Sequence, residues 1–356
     1  MSGTTLITGA GGYLGRRIAE HMLATTDRTL VLWVRAKAIA AVAEQLRHHG
    51  DRVVVCGGDL ADDEPFKDVE ARHVETIIHG AAVTRFDVAA DLAEAVNVAG
   101  TRKLLAFAGR CGALETFSYL SSIYSAGLAS GEILEAPRPE PPAFANEYER
   151  SKWRAEQLVL GDWPFRRQVL RVATVLCDDD SGAVTQHNVV HRLLKLLHGG
   201  LLPIVPGYPG TPVYLVTGEL VARATVALVG CGEDGAVFHV APAASTSCTL
   251  QELLDWSHAA FCRDDAFLRR RVLKPLFADA PTFDYLAATA DMFSADIGPV
   301  ISVVRPFARQ LFAQKQVHND RLVSAWPAYR AAATRELVDN TCAWLMSSAW
   351  AARGRV

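Results

Sequence analysis

The first half of the chain alternates short, largely apolar stretches with longer segments in which apolar residues recur at helical spacing. The apolar stretches predict strands, and they cover residues 4–8, 29–34, 52–55, 76–79, 116–120 and 165–175. The segments between them predict helices over residues 16–24, 39–47, 91–109 and 148–160. Largely apolar strands that alternate with helices indicate a parallel sheet covered on both faces. We therefore predict an α/β, doubly wound nucleotide-binding fold.

The second half of the chain is less regular and richer in helical spacing. A polar run at residues 178–182 follows the last predicted core strand. Further on, the pattern predicts helices over residues 189–198, 221–229 and 250–261, a strand over 236–240, and mainly helices over 263–352. We predict a nucleotide-binding domain over residues 1–177. Residues 178–356 then form mainly a smaller, mostly helical substrate-binding lobe with a helical C-terminal extension, and residues 213–240 return to the first domain.

Composition excludes several classes of protein. The 356 residues carry a formal net charge of −3, so the chain lacks the basic field of a nucleic-acid binder. Its seven cysteines are scattered, without a CxxC pair or metal-type spacing, which favours a reduced, cytoplasmic protein without a metal site. The longest apolar tract, residues 189–206, is broken by charged residues and histidines, so no segment is expected to span a membrane.

A glycine-rich turn follows the first strand and opens the first helix. Its glycines are Gly9, Gly12 and Gly15. In this context Gly9 makes the tight turn, Gly12 lets a pyrophosphate approach the backbone, and Gly15 lets the helix pack close to the strand. A plain structural turn is the alternative. We expect Thr8, Tyr13 and Leu14, which complete the turn, to contact the cofactor as well.

The end of the second strand bears on which nicotinamide cofactor is bound. An acidic residue there would favour NAD, but this strand ends in Arg35, with Lys37 close behind. The planar fork of Arg35 suits a ribose 2′-phosphate, which predicts NADP(H). A solvated charge after a strand is the alternative. Four further residues are expected to contact the cofactor at neighbouring strand ends: Asp59, Leu60, Ala81 and Ala82.

Tyr148 and Lys152 are spaced four apart on a predicted helix, so both project from one face. An ammonium beside a phenol favours the phenolate and lowers the phenol pKa, which gives a usable general acid or base. The pair is common by chance. Its position after the glycine-rich turn and after Ser121-Ser122 gives it weight. Asn97 lies with Gly100 inside another predicted helix, where an Asn side chain can hold the strand geometry or a water chain beside the lysine.

The order of these motifs resembles that of the extended short-chain dehydrogenase/reductase (SDR) superfamily. The matching motifs are Thr8-Gly9-x-x-Gly12-x-x-Gly15, Gly58-Asp59-Leu60, Ala81-Ala82, Asn97-Val98-x-Gly100-Thr101, Ser121-Ser122 and Tyr148-x-x-x-Lys152. Within the superfamily, Tyr148-Glu149-Arg150-Ser151-Lys152-Trp153 and Ile78-His79-x-Ala81-Ala82 resemble the thioester-reductase and fatty acyl-CoA reductase branch. That branch usually has Pro-Val-Asp where this chain has Thr217-Gly218-Glu219.

The resemblance implies a role for each catalytic candidate. Ser122, rather than Ser121, and Tyr148 would hydrogen-bond the substrate carbonyl oxygen, with Tyr148 as the proton donor. Lys152 would lower the phenol pKa and bind the nicotinamide ribose, and Asn97 would support the site. Ser121 would fix the end of its strand.

The resemblance also implies an activity, with alternatives left open. The first expectation is an NADPH-dependent reductase that converts an acyl thioester on CoA or a carrier protein to an aldehyde, with further reduction to an alcohol left open. A ketone or aldehyde reductase and a non-catalytic NADP-binding regulator are the alternatives. Many relatives pair through helices beside the Tyr148 segment, so a homodimer is also open. Five residues are weighed as acyl-pocket candidates against plain core packing: Phe283, Tyr285, Leu286, Met292 and Phe293.

Overall fold

The computed structural model describes residues 3–289 and 297–350. Its strands are β1 (Thr4–Thr8), β2 (Thr29–Val34), β3 (Val53–Gly57), β4 (Val74–His79), β5 (Thr116–Ser122), β6 (Gly131–Ile133), β7 (Arg166–Val172), β8 (Thr174–Cys177), β9 (Ile204–Pro206), β10 (Pro212–Val213), β11 (Leu215–Thr217), β12 (Ala236–Val240), β13 (Cys248–Thr249), β14 (Leu276–Ala278) and β15 (Lys315–Val317).

Within the same residues the α-helices are α1 (Tyr13–Thr25), α2 (Ile39–Leu46), α3 (Ala90–Ala93), α4 (Gly100–Ala108), α5 (Glu147–Val159), α6 (Val189–Gly199), α7 (Gly218–Leu228), α8 (Leu250–Phe261), α9 (Asp265–Arg270), α10 (Ala280–Ala288), α11 (Ile297–Ala308), α12 (Asp320–Ala325) and α13 (Thr334–Ser347). A π-helical turn, Glu94–Ala99, joins α3 to α4. None of the helices described here is long and apolar enough to cross a membrane.

Seven of the strands form one parallel sheet in the order β12-β7-β5-β4-β1-β2-β3. Strand β1 lies between β4 and β2, and the chain reverses its direction of travel across the sheet at this point. In such sheets ligands bind at the carboxyl ends of the strands beside the reversal. The predicted doubly wound α/β fold is confirmed.

Apolar side chains cover both faces of this sheet. On one face, Ile18 of α1 and Val221 of α7 belong to the same buried cluster as Ile7 of β1. On the other face, Leu104 of α4 and Val159 of α5 share a buried cluster with other strand residues. Burial of apolar surface on both faces is the main free-energy gain that holds helices to a parallel sheet.

The second half of the chain builds a separate apolar cluster beside the sheet. Leu193 of α6, Leu254 and Phe261 of α8, and Leu345 of α13 are all buried within it. Phe283, one of the acyl-pocket candidates, is buried in the same cluster. The smaller lobe is therefore helical around an apolar core of its own.

Several elements differ from the pattern-based predictions. The strand predicted over residues 165–175 is divided at Ala173, because the chain up to Val172 pairs with β5 and β12, whereas β8 from Thr174 onward pairs with β11. The C-terminal region, predicted to be mainly helical, also contains β14 and β15, which pair with β9 and β6. Both strands have only three residues, too few to produce a recognisable two-residue period.

Candidate active site

The glycine-rich turn connects β1 to α1 and leaves no space for side chains at two of its positions. Gly9 has a φ of +77°, and a Cβ there would lie 2.7 Å from the Ala81 amide nitrogen. A Cβ on Gly15 would lie 2.2 Å from Gly9 O. Gly12 is the exposed N-cap of α1 and offers no capping side chain, and the first turn of α1 carries no acidic residue. The N–H groups at this helix start are therefore well placed for an anion such as a pyrophosphate.

Tyr13 and Leu14, the other predicted contacts in this turn, make protein contacts through their side chains. The Tyr13 hydroxyl donates to Asp178 Oδ1 at 2.7 Å, and Arg17 forms an ion pair with Asp178 Oδ2 at 2.9 Å. Leu14 packs against the apolar cluster beneath α1. Any contact of these two residues with a cofactor would therefore come mainly from their backbone.

A buried histidine connects the ends of β1 and β4 behind the glycine-rich turn. His79 Nδ1 bonds to the Thr8 hydroxyl at 2.7 Å, and His79 Nε2 bonds to the Thr101 hydroxyl at 2.9 Å. Burial, followed by the charge of Lys152, lowers the pKa of His79 to about 3, so the ring is neutral at physiological pH. Thr8 also accepts from the Ala81 amide at 3.3 Å. His79 thus fixes the edge of the sheet where Ala81 lies, a role that its place in the sequence does not reveal.

The structure places the remaining cofactor candidates at the carboxyl ends of their strands. Arg35 is exposed where β2 ends. Asp59 is also exposed, and its Oδ1 accepts from the Ala61 amide at 2.9 Å, as in an ordinary turn. Leu60 is buried against Gly100, where an added Cβ would lie 2.9 Å from Leu60 Cβ. Arg35 and Asp59 therefore remain accessible to a ligand, whereas the Leu60 side chain packs inside.

The catalytic candidates Ser122, Tyr148 and Lys152 lie at the carboxyl end of β5 and in the first turns of α5. Asn146 caps α5 by accepting from the Glu149 amide at 3.0 Å, which starts the helix just before Tyr148. The three candidate side chains are buried. Lys152 Nζ donates to Leu120 O at 2.7 Å, so the lysine is tied to the strand that ends in Ser122.

The pKa values of the pair differ from the sequence expectation. Burial raises the pKa of Tyr148 to about 12, and the opposing influence is the Ser122 hydroxyl rather than Lys152. Burial lowers the pKa of Lys152 to about 7, partly offset by the carboxylate of Glu156. The expected lowering of the phenol pKa by Lys152 is thus not seen here, because desolvation outweighs it and the Lys152 ammonium is directed at Leu120 O.

Asn97 occupies the π-helical turn between α3 and α4. Its amide exchanges two hydrogen bonds with the backbone of Val83, at 2.8 and 2.9 Å, and donates to the Ser151 hydroxyl at 2.9 Å. Both N–H donors are thereby used. The residue links the segment after β4 to the catalytic helix, in agreement with a positioning role, and π-turns often occur at functional sites.

Ser121 joins a buried ionic network through its hydroxyl. Its hydroxyl donates to Glu156 Oε1 at 2.5 Å, and the Arg171 guanidinium donates to both oxygens of the same carboxylate, at 2.7 to 3.1 Å. Glu156 and Arg171 are almost completely buried. This arrangement supports Ser122, and not Ser121, as the hydroxyl available to a substrate.

A largely apolar cavity opens beside these residues. Phe86 connects the cavity to the catalytic candidates, because its ring lies 5.6 Å from the ring of Tyr148 and 5.8 Å from the ring of Tyr124, which lines the cavity. The cavity is lined by Phe86, Ile123, Tyr124, Thr174, Val189, Val190, Leu193, Thr211, Pro212, Val213, Tyr214, Leu250, Leu253, Phe307, Gln310, Leu311, Ala313 and Lys315. It adjoins the catalytic candidates and is formed mainly by the smaller lobe, which makes it the candidate substrate pocket.

Three of the acyl-pocket candidates chosen from the sequence, Phe283, Tyr285 and Leu286, do not line this cavity. Phe283 is buried in the core of the lobe, and Tyr285 is 69% exposed. Leu286 is half-buried outside the cavity. Met292 and Phe293 lie outside the described residues. Phe283 therefore serves core packing, as the alternative interpretation held.

Known proteins resemble the chain in both sequence and fold. The sequence is 26% identical over 268 residues to the glycine betaine reductase of Emericella nidulans, covering 67% of this chain and 21% of that protein. It is 29% identical over 275 residues to an isonitrile lipopeptide synthase of Streptomyces coeruleorubidus, covering 70% of this chain and 18% of that protein. The chain thus spans about a fifth of the length of these curated relatives.

Among solved structures, the terminal reductase domain of the myxalamid PKS-NRPS biosynthetic pathway matches with a TM-score of 0.76 and 19% identity, covering 98% of this chain and 92% of that one. This likeness supports the fold. The male sterility protein family, a family of NAD-binding domains, matches residues 7–225, which include the glycine-rich turn and the Ser122, Tyr148 and Lys152 segments. The chain therefore belongs to the male sterility protein family of oxidoreductases within the extended SDR superfamily.

Proposed function

We propose that this chain is an NADPH-dependent reductase of acyl thioesters held on CoA or on a carrier protein. The reaction converts thioester, NADPH and a proton to aldehyde, free thiol and NADP⁺, and a second reduction of the aldehyde gives the alcohol. The carrying observation is that Ser122, Tyr148 and Lys152 converge between a dinucleotide-type turn and an apolar cavity. The relatives named above as a reductase and a synthase agree with this chemistry.

The residues at the carboxyl edge of the sheet fit a dinucleotide. The uncapped start of α1 at Gly12 offers N–H donors to a pyrophosphate. Arg35 offers a fork of donors to a 2′-phosphate, and Lys37, also exposed, adds a second positive charge. Asp59 would accept from the adenine amino group. When bound there, NADPH supplies the hydride.

Tyr148 and Ser122 would act on the carbonyl oxygen of the substrate. With a pKa of about 12, the phenol of Tyr148 holds its proton at neutral pH. It can therefore donate a hydrogen bond, and then the proton, to the oxyanion that develops as the carbonyl is reduced. The Ser122 hydroxyl supplies a second donor. Phe86 and the burial of Tyr148 keep bulk water from the reacting carbonyl.

Lys152 and Asn97 would support this chemistry without contacting the carbonyl oxygen. Lys152 Nζ can turn from Leu120 O to a ribose hydroxyl, and the pKa near 7 places it close to proton exchange at physiological pH. Asn97 holds the catalytic helix in register through Ser151.

All seven cysteines are free thiols, which suits a reducing, cytoplasmic compartment.

The decisive experiment measures product release from several substrate classes. Purified protein is incubated with NADPH, and separately with NADH, together with acyl-CoAs, acyl-carrier thioesters, and aldehydes and ketones of the same chain length. Nicotinamide absorbance reports reduction. Free CoA is measured by chromatography, because the seven protein thiols would react with a thiol reagent. Reduction of ketones or aldehydes without any release of CoA or carrier thiol would replace this proposal with a carbonyl reductase.

Two variants test the assigned roles. Tyr148→Phe should lose at least about a hundredfold in kcat, the contribution typical of a general acid, while it retains NADPH binding. The exposed Tyr208→Phe serves as the control. A biological effect that survives Tyr148→Phe without turnover would instead indicate a regulator. Arg35→Asp should raise the Kd for NADPH about tenfold or more relative to NADH, whereas the exposed Arg47→Asp should not change that ratio.

A further inference from the structure

The candidate substrate pocket is apolar except for one cationic corner. Lys315 and Gln310 both line the cavity, and both are buried. Lys315 Nζ donates to Gln310 Oε1 at 2.5 Å, and Gln310 Nε2 in turn donates to Gly127 O at 3.1 Å. The hydrogen bond to Gly127 O therefore orients the side-chain amide of Gln310, and this amide holds the Lys315 side chain in one position at the wall of the cavity.

A buried carboxylate compensates this lysine. Glu149, which follows Tyr148 directly, is fully buried and accepts from the Ala145 amide at 2.9 Å and from Asn146 at 3.0 Å. Burial raises the pKa of Glu149, and the Ala145 amide and Lys315 lower it. Burial lowers the pKa of Lys315, Glu149 raises it, and Arg138 lowers it. The carboxylate of Glu149 therefore offsets the positive charge of Lys315.

Fold stability alone does not explain a lysine at this wall. The backbone of β15 is already anchored by its pairing with β6, which does not involve the Lys315 side chain. Burying two ionisable groups costs several kcal/mol of desolvation, and well-packed apolar residues of similar volume usually serve stability as well or better. A pocket for a purely alkyl chain would gain nothing from the ammonium. The desolvation cost of burying Lys315 is explained if its N–H groups donate hydrogen bonds to a ligand in the cavity.

Resting on the proposed thioester reduction, we propose that Lys315, positioned by Gln310, selects acyl groups that are mainly apolar but carry one neutral hydrogen-bond-accepting oxygen, such as a keto, hydroxyl or amide oxygen. The apolar walls contributed by α6, α8 and the segment after α11 hold the hydrocarbon part. A neutral acceptor is favoured over a carboxylate, because Glu149 already balances the lysine charge and a second buried anion would be uncompensated.

The test compares matched acyl-CoAs. Decanoyl-CoA is compared with oxodecanoyl-CoAs whose ketone is placed at successive positions, and with a decanoyl-CoA that ends in a carboxylate. Release of free CoA is the readout, so that reduction of the added ketone itself is not counted. The wild-type protein should show a kcat/KM about ten- to a hundredfold higher for the best oxo substrate than for decanoyl-CoA, the range of a hydrogen bond to a charged donor.

Variants assign this preference to the lysine. Lys315→Met should reduce the ratio of oxo to saturated kcat/KM to about one. Since this change leaves Glu149 buried without its partner, the double variant Lys315→Met with Glu149→Gln is measured beside it, with melting temperature as the check on folding. Lys67→Met makes the same change at an exposed position outside the cavity and should keep the ratio at its wild-type value.

The outcomes separate the two proposals. Release of CoA from all substrates at similar kcat/KM would overturn the role of Lys315 and leave thioester reduction standing. Preference for the carboxylate-terminated substrate would overturn the neutral-acceptor assignment, as would an oxo preference that survives in the double variant. Absence of thiol release from every substrate, whether free CoA from acyl-CoAs or the carrier thiol from carrier-bound forms, would overturn thioester reduction and this inference with it.

Discussion

Lys152 is predicted to destabilise the folded protein at neutral and acidic pH, and Lys152→Met tests this. The side chain is 3% exposed, and its Nζ lies 4.4 Å from the centre of the Tyr119 ring and 2.7 Å from Leu120 O. Burial lowers its pKa from 10.5 to about 7. Methionine keeps most of the aliphatic length and removes the titrating group.

The sign and size of the effect follow from proton linkage. Between about pH 7 and pH 10.5 the unfolded chain holds a proton on Lys152 that the folded chain has lost, so the wild-type free energy of unfolding rises with pH through this window. Below pH 7 the burial of the charged form costs roughly 5 kcal/mol. The methionine variant avoids that cost but leaves Leu120 O without its donor, a loss of about 1–3 kcal/mol.

The variant should therefore be about 2–4 kcal/mol more stable than the wild type near pH 6 and about 1–3 kcal/mol less stable near pH 10.5. Urea unfolding of the cofactor-free protein, followed by circular dichroism across this range, measures both curves. The exposed Lys67→Met is the control and should follow the wild-type curve in shape. Parallel curves for Lys152→Met and wild type, with no crossing, would refute the reasoning.

Two further substitutions test the buried network and the glycine-rich turn. Glu156→Gln leaves the Arg171 guanidinium buried without its carboxylate and should lower the free energy of unfolding by about 3–5 kcal/mol; a loss below about 1 kcal/mol in urea unfolding would contradict this. Gly9→Ala places a Cβ against the Ala81 amide in a left-handed backbone and should cost about 1–3 kcal/mol and abolish NADPH binding in calorimetry. In Gly11→Ala the added Cβ meets its neighbours at 3.5 Å, an ordinary contact distance, so this variant should bind NADPH normally. Equal NADPH binding by Gly9→Ala and Gly11→Ala would count against the steric argument.

The parts that the sequence predicts correctly depend on local patterns. The alternation of strands and helices and the glycine-rich turn are each encoded within a few consecutive residues, and so is the four-residue spacing of Tyr148 and Lys152 on α5. The family comparison agrees with that pattern over residues 7–225. Local periodicity is the strongest signal available in a single sequence, which explains this success.

The parts that the sequence does not predict depend on contacts between distant segments. Gln310 reaches Gly127 across 183 positions, and no local pattern marks either residue. The pKa of Tyr148 could not be inferred from its spacing to Lys152, because the decisive influence is burial. Burial at this point depends on Phe86 and on the smaller lobe. The sequence could not locate the cavity wall either, because Phe283, which packs in the core, and residues of the wall have similar apolar spacing.

The order of strands in the sheet has a consequence for how the chain is made. Strand β7 is paired on its outer side only by β12, whose residues Ala236–Val240 lie opposite Gln168 to Val172. Before β12 has been synthesised, the backbone N–H and C=O groups on the outer side of β7 have no partner strand. Such an unpaired edge of largely apolar residues is prone to pair with other chains. A fragment that stops at residue 177 would keep that edge permanently. We therefore expect a fragment that stops at residue 177 to associate through this edge more readily than a fragment that includes β12.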